Sequence, residues 1–218
     1  MTTQYKAVIF DLDGTLLDSA EDLADSMNTV LSKYNLPTHS IDTYKSLLGK
    51  GLKKFVQESL PEELQQAPDC SKYEEDMYET YNNNCTVKTK PYEGITTMLD
   101  LLKAKNIKLA VLSNKADAFT KRMVKKYFSD WDFQEVLGMT NEAHKKPNPV
   151  GALQIAKTLN LQSTEILYVG DSGIDMQTAN NAEMCAVGVL WGFKSKDELL
   201  QNGAKYIIAN PVDLIELL

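Results

Sequence analysis

The sequence predicts an α/β protein: a parallel sheet with helices on both faces, interrupted by one purely helical segment. Three observations predict it. Short apolar runs without polar alternation, Ala7–Phe10 first among them, read as strands buried on both faces. From Pro91 onward such runs alternate with helical patterns, which calls for right-handed crossovers within one sheet. Between the first strand and Pro91, roughly seventy residues show helical spacing alone, as an inserted cap would.

The elements follow from local spacing. Ala7-Val8-Ile9-Phe10 stops at Asp11-Leu12-Asp13-Gly14-Thr15, where Gly14 frees the backbone for a sharp turn. In residues 19–34, Leu23, Met27, Val30, Leu31 and Tyr34 recur at helical intervals. Asp18 and Glu21 are spaced as a capping box for that helix, and Asn35-Leu36-Pro37 ends it. Residues 51–60 put Leu52, Phe55, Val56 and Leu60 on one face. Residues 71–83 align Tyr73, Met77 and Tyr81, a stripe read as cap core, with Ser71 and Glu74 as the cap of the helix. Beyond Pro91, Ile95, Met98, Leu99 and Leu102 form a helix, and residues 107–112 a strand ending at Ser113-Asn114-Lys115. Phe119, Met123 and Tyr127 mark another helix, and residues 135–138 a short strand. A helix over 149–159, a strand over 165–169 and a helix over 174–182 follow. The strand Cys185–Val189, a short helix from Ser195, the strand Tyr206–Ile208 and a terminal helix complete the chain. The expected domains are a catalytic core of residues 1–16 and 87–218 and a helical cap of residues 17–86.

Composition narrows the function. A hydrophobic fraction of 43% in 218 residues supports a packed interior, and a net charge of −7 argues against a nucleic-acid surface. Cys70, Cys85 and Cys185 are odd in number and lack metal-ligand spacing, which fits a reducing compartment. No apolar run approaches the ~20 residues that a membrane span needs, and no signal-peptide pattern precedes the first strand, so a cytoplasmic location is expected.

Polar residues collect where strands end, the place where open α/β sheets bind ligands. Asp11 and Asp13 lie two apart and can face one ligand, and a cation would relieve their repulsion. Ser113-Asn114 ends a second strand, open to reading as a helix cap or as a binding pair. Asp171, with Asp175 four residues on, starts a helix after Gly170 and is open to two readings, N-cap or metal ligand. Lys146 sits in the proline-rich loop His144-Lys145-Lys146-Pro147-Asn148-Pro149. Such a set suits attack on a phosphate monoester: Mg²⁺ held by hard oxygens neutralises phosphoryl charge, and a lysine and a hydroxyl hold the remaining oxygens. A carboxylate nucleophile then needs a second group to serve the leaving oxygen and the water.

Asp11-Leu12-Asp13-Gly14-Thr15, Ser113-Asn114-Lys115, Lys146-Pro147 and Gly170-Asp171-Ser172-Gly173-Ile174-Asp175 resemble, in order, the four motifs of the haloacid dehalogenase superfamily. The resemblance covers essentially the whole chain, helical insertion included, and implies a Rossmann-like core. Leu16-Leu17-Asp18-Ser19, Tyr92-Glu93-Gly94, Lys146-Pro147-Asn148-Pro149 and the tail from Val187 to Phe193 are similar to phosphoglycolate phosphatases within it. One departure is Glu183, where relatives commonly have glycine.

The resemblance implies that Asp11 is the nucleophile, forming an aspartyl phosphate, and that Asp13 is the general acid and then base. It implies Mg²⁺ ligation by Asp11, the Asp13 carbonyl and Asp171, phosphoryl binding by Ser113 and Lys146, and orientation of Lys146 or a metal-bound water by Asp175. Gly14, Thr15 and Asn114 would help bind substrate. Gly49-Lys50-Gly51 resembles the family's lid loop, with Lys50 facing an anionic substrate tail or serving merely as a surface lysine. The expected activity is Mg²⁺-dependent hydrolysis of a small phosphorylated metabolite, 2-phosphoglycolate first, by a monomer or weak homodimer with no nucleic-acid or membrane partner. Two alternatives stay open: a sugar phosphomutase of the β-phosphoglucomutase type, and a non-catalytic phospho-acceptor signalling domain. Asp13 and the helical insertion argue against the latter.

Overall fold

The structure, a computed structural model, describes residues 5–66 and 70–218. The chain opens with β1 (Ala7–Phe10) and the two-residue β2 (Leu17–Asp18). Helices α1 (Ala20–Lys33), α2 (Ile41–Leu47), α3 (Leu52–Ser59), α4 (Glu62–Gln65) and α5 (Ser71–Asn84) follow, with no strand between them among the described residues. The chain returns through β3 (Lys90–Pro91) to α6 (Ile95–Ala104), β4 (Lys108–Ala116), α7 (Asp117–Tyr127), β5 (Phe133–Met139) and α8 (Val150–Leu159). It ends with β6 (Ile166–Gly170), α9 (Gly173–Asn181), β7 (Cys185–Val189), α10 (Lys196–Gln201), β8 (Tyr206–Ile208) and a 3-10 helix over Pro211–Leu217.

Six strands form one parallel sheet in the order β5-β4-β1-β6-β7-β8. The winding runs outward from β1 in both directions, so the loops after β4, β1 and β6 flank the crevice where ligands bind in such sheets. Register then places the polar residues. Phe10 pairs with Val111 on one side and Val169 on the other, so Asp11 is level with Leu112 and Gly170, with Ser113 and Asp171 one step further out.

Successive strand residues bury themselves on opposite faces. Val8, Phe10, Val111 and Val169 join one core, while Ala7, Ile9, Ala110 and Tyr168 join another. This double burial is why the strands carry no polar alternation. The cap helices have a third core, in which Tyr73, Met77 and Tyr81 pack with Leu23, Met27, Tyr44, Phe55 and Val56. β2 and β3 pair antiparallel, so the chain leaves the core and returns to it side by side. Asp22 of α1, 2% exposed, accepts the amides of Val87, Lys88 and Thr89 and the Thr89 hydroxyl, fastening the returning segment to α1.

Some local expectations are revised. Ser19 is the N-cap of α1 but makes no side-chain cap bond, because its hydroxyl donates to Asp13 instead; the Asp18/Glu21 box is not used. α5 begins at Ser71 with Cys70 as N-cap, so the Ser71/Glu74 box is not formed. β4 does not end at Leu112 but runs on to Ala116, with a register shift between the two. α2 and α4 had no periodic signal, since only Tyr44 is buried in the first and no residue in the second. Among the described residues, no helix is long and apolar enough to cross a membrane.

Candidate active site

The site begins with Asp11, whose amide donates to the Val169 carbonyl at 2.9 Å and fixes the residue at the end of β1. Lys146 reaches it from the loop before α8. Its ammonium lies 2.8 Å from Asp11 Oδ1 and 2.7 Å from Asp175 Oδ1, and donates to the Leu112 carbonyl at 3.3 Å. Asp175, in the first turn of α9, accepts the Ser172 amide and hydroxyl on its other oxygen at 3.1 and 2.6 Å. Ser172, not Asp171, is therefore the cap of α9. Asp171 is left facing Asp11, held by the Thr15 hydroxyl on Oδ1 at 3.3 Å and the Phe193 amide on Oδ2 at 2.8 Å. Its surroundings demand glycine: Gly14, at φ +92°, and Gly192 lie so close that a Cβ on either would collide with Asp171.

Oxygens of Asp11, Asp171 and Asp175 all lie within 4.8 Å of one another, and all three residues are buried. Burial, opposed by Lys146 and reinforced by Asp175, pushes the Asp11 carboxyl up to about 7. Asp171 is raised well above the carboxylate range by burial first, then by Asp175 and Asp11. Burial alone would lower the Lys146 ammonium, but Asp11 and Asp175 more than offset it. One lysine thus stands among three carboxylates, an excess of negative charge that a bound cation would relieve.

Beside this centre, Asp13 lines the same cavity as Asp11 with partners of its own. The Lys115 ammonium holds it at 2.8 and 3.0 Å, and the Ser19 hydroxyl donates to it at 2.5 Å. Asp13 beside it drives Lys115 above the usual lysine range despite its burial. Ser113 accepts the Lys115 amide on its hydroxyl oxygen at 3.2 Å, which leaves its own O–H to donate. These residues open on a cavity of about 550 Å³, counted to its mouth, between the sheet edge and the cap. Asp11, Asp13, Ser113, Lys115 and Lys146 form its floor, and Leu23, Leu48, Leu52, Phe55, Tyr81 and Phe119 its walls.

Four residues expected to bind substrate have other occupations. The Lys50 ammonium pairs with Glu58 at 3.0 Å, and its side chain, 42% exposed, lies outside the cavity lined by Gly49 and Gly51. The Gly14 amide donates to the Leu17 carbonyl at 2.9 Å and Thr15 supports Asp171, so both build the floor from behind. Asn114 lines the cavity, but its amide group donates to the Gly49 and Lys146 carbonyls and accepts the Lys146 amide, tying the cap loop to the lysine loop. The sequence reading missed Lys115, Ser19 and Tyr81. For Lys115 the signal was its place next to Ser113-Asn114, on a strand extended beyond its apolar run.

Fold and site together define a capped α/β enzyme with a buried acidic centre at the carboxyl edge of its sheet. Residues 8–189 match the family profile described as haloacid dehalogenase-like hydrolase. The phosphoglycolate phosphatase of Nitrosospira multiformis is 32% identical over 216 residues, covering 98% of this chain and 95% of its own, and that of Aquifex aeolicus is 29% identical over 213, covering 98% and 96%. The crystal structure of a predicted phosphoglycolate phosphatase from Haemophilus somnus superposes with a TM-score of 0.89 at 29% identity, over 100% of this chain and 99% of that one. The chain belongs to the haloacid dehalogenase-like hydrolase family. Within it, the chain is phosphoglycolate phosphatase-like, a phosphoric monoester hydrolase.

Proposed function

We propose that this phosphatase hydrolyses a small phosphorylated metabolite, 2-phosphoglycolate first, with Mg²⁺ and through an aspartyl phosphate on Asp11. The observation that carries the reading is the division of the site into two charged centres: Asp11 with Lys146, Asp171 and Asp175 on one side, and Asp13 with Lys115 on the other. One centre suits phosphoryl transfer and the other proton transfer.

Asp11 attacks phosphorus, and the bond to the leaving oxygen breaks as that oxygen takes a proton from Asp13. Asp13 then removes a proton from water, whose oxygen attacks the same phosphorus, releasing phosphate and restoring the Asp11 carboxylate. Lys146, fixed by Asp175, and the Ser113 hydroxyl hold phosphoryl oxygens. Asp11 and Asp171 suit Mg²⁺ by their hard oxygens and excess charge, with the Asp13 carbonyl as a third ligand carried over from the family resemblance. Asp175 has both oxygens engaged and serves as support. The ion would neutralise phosphoryl charge and orient the ester for in-line attack. The helices between β2 and β3 act as a lid that excludes water.

Phosphate release from 2-phosphoglycolate, sugar phosphates, pyrophosphate and nucleotides, with and without Mg²⁺, tests the reading. Expected is metal-dependent turnover led by phosphoglycolate, and glycolate and phosphate as the products. Asp171→Ala should raise the Mg²⁺ concentration needed for half-maximal rate by tenfold or more, on the order of one lost carboxylate ligand. An unchanged metal requirement would refute the ligand role.

A further inference from the structure

We propose that Lys115 and Tyr81 form the recognition site for a carboxylate on the leaving group, and so determine which phosphate esters this enzyme prefers. The inference rests on the phosphatase reading and adds the residues that select the substrate.

The cavity floor holds two ammonium groups among the described residues, and they differ in what surrounds them. Lys146 stands between two carboxylates and a carbonyl at the acidic centre, where the phosphoryl group is bound. Lys115, its side chain 6% exposed, has one carboxylate partner, Asp13, and lies over the Tyr81 ring with 4.7 Å to the centroid. The Tyr81 hydroxyl is buried at the cavity wall beside the Lys115 ammonium, and among the described residues it has no hydrogen-bond partner in good geometry. A buried hydroxyl without a partner is costly, and a ligand oxygen is its natural complement. Ammonium and hydroxyl together offer donors to the two oxygens of one carboxylate.

Position favours a short substrate. The ester oxygen that Asp13 serves must lie against Asp13, so the next one or two carbons lie against its neighbours, Lys115 and Tyr81. The remaining walls contributed by the cap are the side chains of Leu23, Leu48, Leu52 and Phe55 and the backbone at Gly49 and Gly51. A sugar phosphate would press several hydroxyls against that apolar wall, where they would go unpaired. A carboxylate needs only the donors present. The same wall speaks against a sugar phosphomutase.

The test compares 2-phosphoglycolate with 2-hydroxyethyl phosphate, which has similar size but a neutral tail, and with a neutral aryl phosphate. Wild type should favour phosphoglycolate over hydroxyethyl phosphate in kcat/KM. Lys115→Met and Tyr81→Phe should each cut that ratio, the lysine change by roughly ten- to hundredfold and the tyrosine change by up to about tenfold. Because Lys115 also touches Asp13, its loss can lower all rates. Equilibrium binding of the two alkyl phosphates to Asp11→Asn and Asp11→Asn/Lys115→Met therefore measures the same ratio without turnover. A ratio unchanged in both variants overturns the assignment, leaving Lys115 as a positioning residue for Asp13. Absence of Mg²⁺-dependent turnover of even the aryl phosphate by wild type overturns the phosphatase reading itself.

Discussion

At the scale of single residues, the site is built by neighbours that fix charge. Asp11→Asn should abolish turnover, since an amide cannot form the acyl phosphate. It should also stabilise the metal-free fold, because it removes one of three carboxylates crowded within 4.8 Å. The sign follows from the Asp11 carboxyl, raised from 3.8 to about 7. Folded protein binds that proton more tightly than unfolded chain, so the contribution of Asp11 is full below pH 3.8 and lost as pH rises to about 7. The variant should be increasingly more stable than wild type across that window, by on the order of 4 kcal/mol at its top. Thermal melts at several pH values in chelator check this; a gap that shrinks with pH would refute it. Much of this centre was legible in the sequence, because Asp11, Asp13, Ser113, Asp171 and Asp175 sit in short motifs after apolar strand runs and Lys146 in a distinct proline-rich loop. Lys115 and Tyr81 were not, because Lys115 stands within its motif without an assigned role and a tyrosine in a helical stripe reads as packing. Their meaning comes from a contact between a core strand and a cap helix, 34 positions apart in the chain. Lys50 shows the converse: its neighbours in sequence suit an anion, while in the fold its ammonium pairs with Glu58.

At the scale of elements, the strands were legible from double burial and the long helices from their stripes. The short α2 and α4 were not, having too few buried positions to set a period. Glu183 shows how an element's end can be read once its backbone is known. It follows α9 at φ +57°, exposed, while the Met184 amide returns to the Ala179 carbonyl at 2.9 Å. This is the left-handed exit that glycine adopts without strain. Glu183→Gly should therefore stabilise the protein by roughly 0.5–1 kcal/mol, raising Tm by about 1–4 °C with activity unchanged. A lowered Tm would show that the glutamate side chain does more than cap the helix.

At the scale of the molecule, polar contacts from Asn114, Arg122, Lys126 and Lys194 tie the core to the cap. Lys194, two residues after Gly192, donates to the Lys45 and Ser46 carbonyls at 3.2 and 2.6 Å, at the end of α2. Its neighbour Phe193 donates to Asp171, so one short segment contacts both the acidic centre and the cap. Lys194→Met should loosen the cap, speeding amide exchange in α2 and raising KM several-fold, while Tm falls by no more than about 2 °C, as expected for a contact worth under 1 kcal/mol. Exchange and KM both unchanged would show that the contact carries no weight in closure.

The paired crossings at β2 and β3, fastened by Asp22, have a consequence for ancestry. Everything between Leu17 and Pro91 leaves and rejoins the sheet at one spot, so replacing that stretch would sever none of the six parallel strands. Substrate choice and bond-breaking chemistry can then be inherited separately, one rewritten while the other is kept. Lys115 is the exception: it belongs to the floor built by the sheet yet lies over a ring supplied by the exchangeable block. A transplanted cap without an aromatic residue at that place would keep the chemistry and lose the reader.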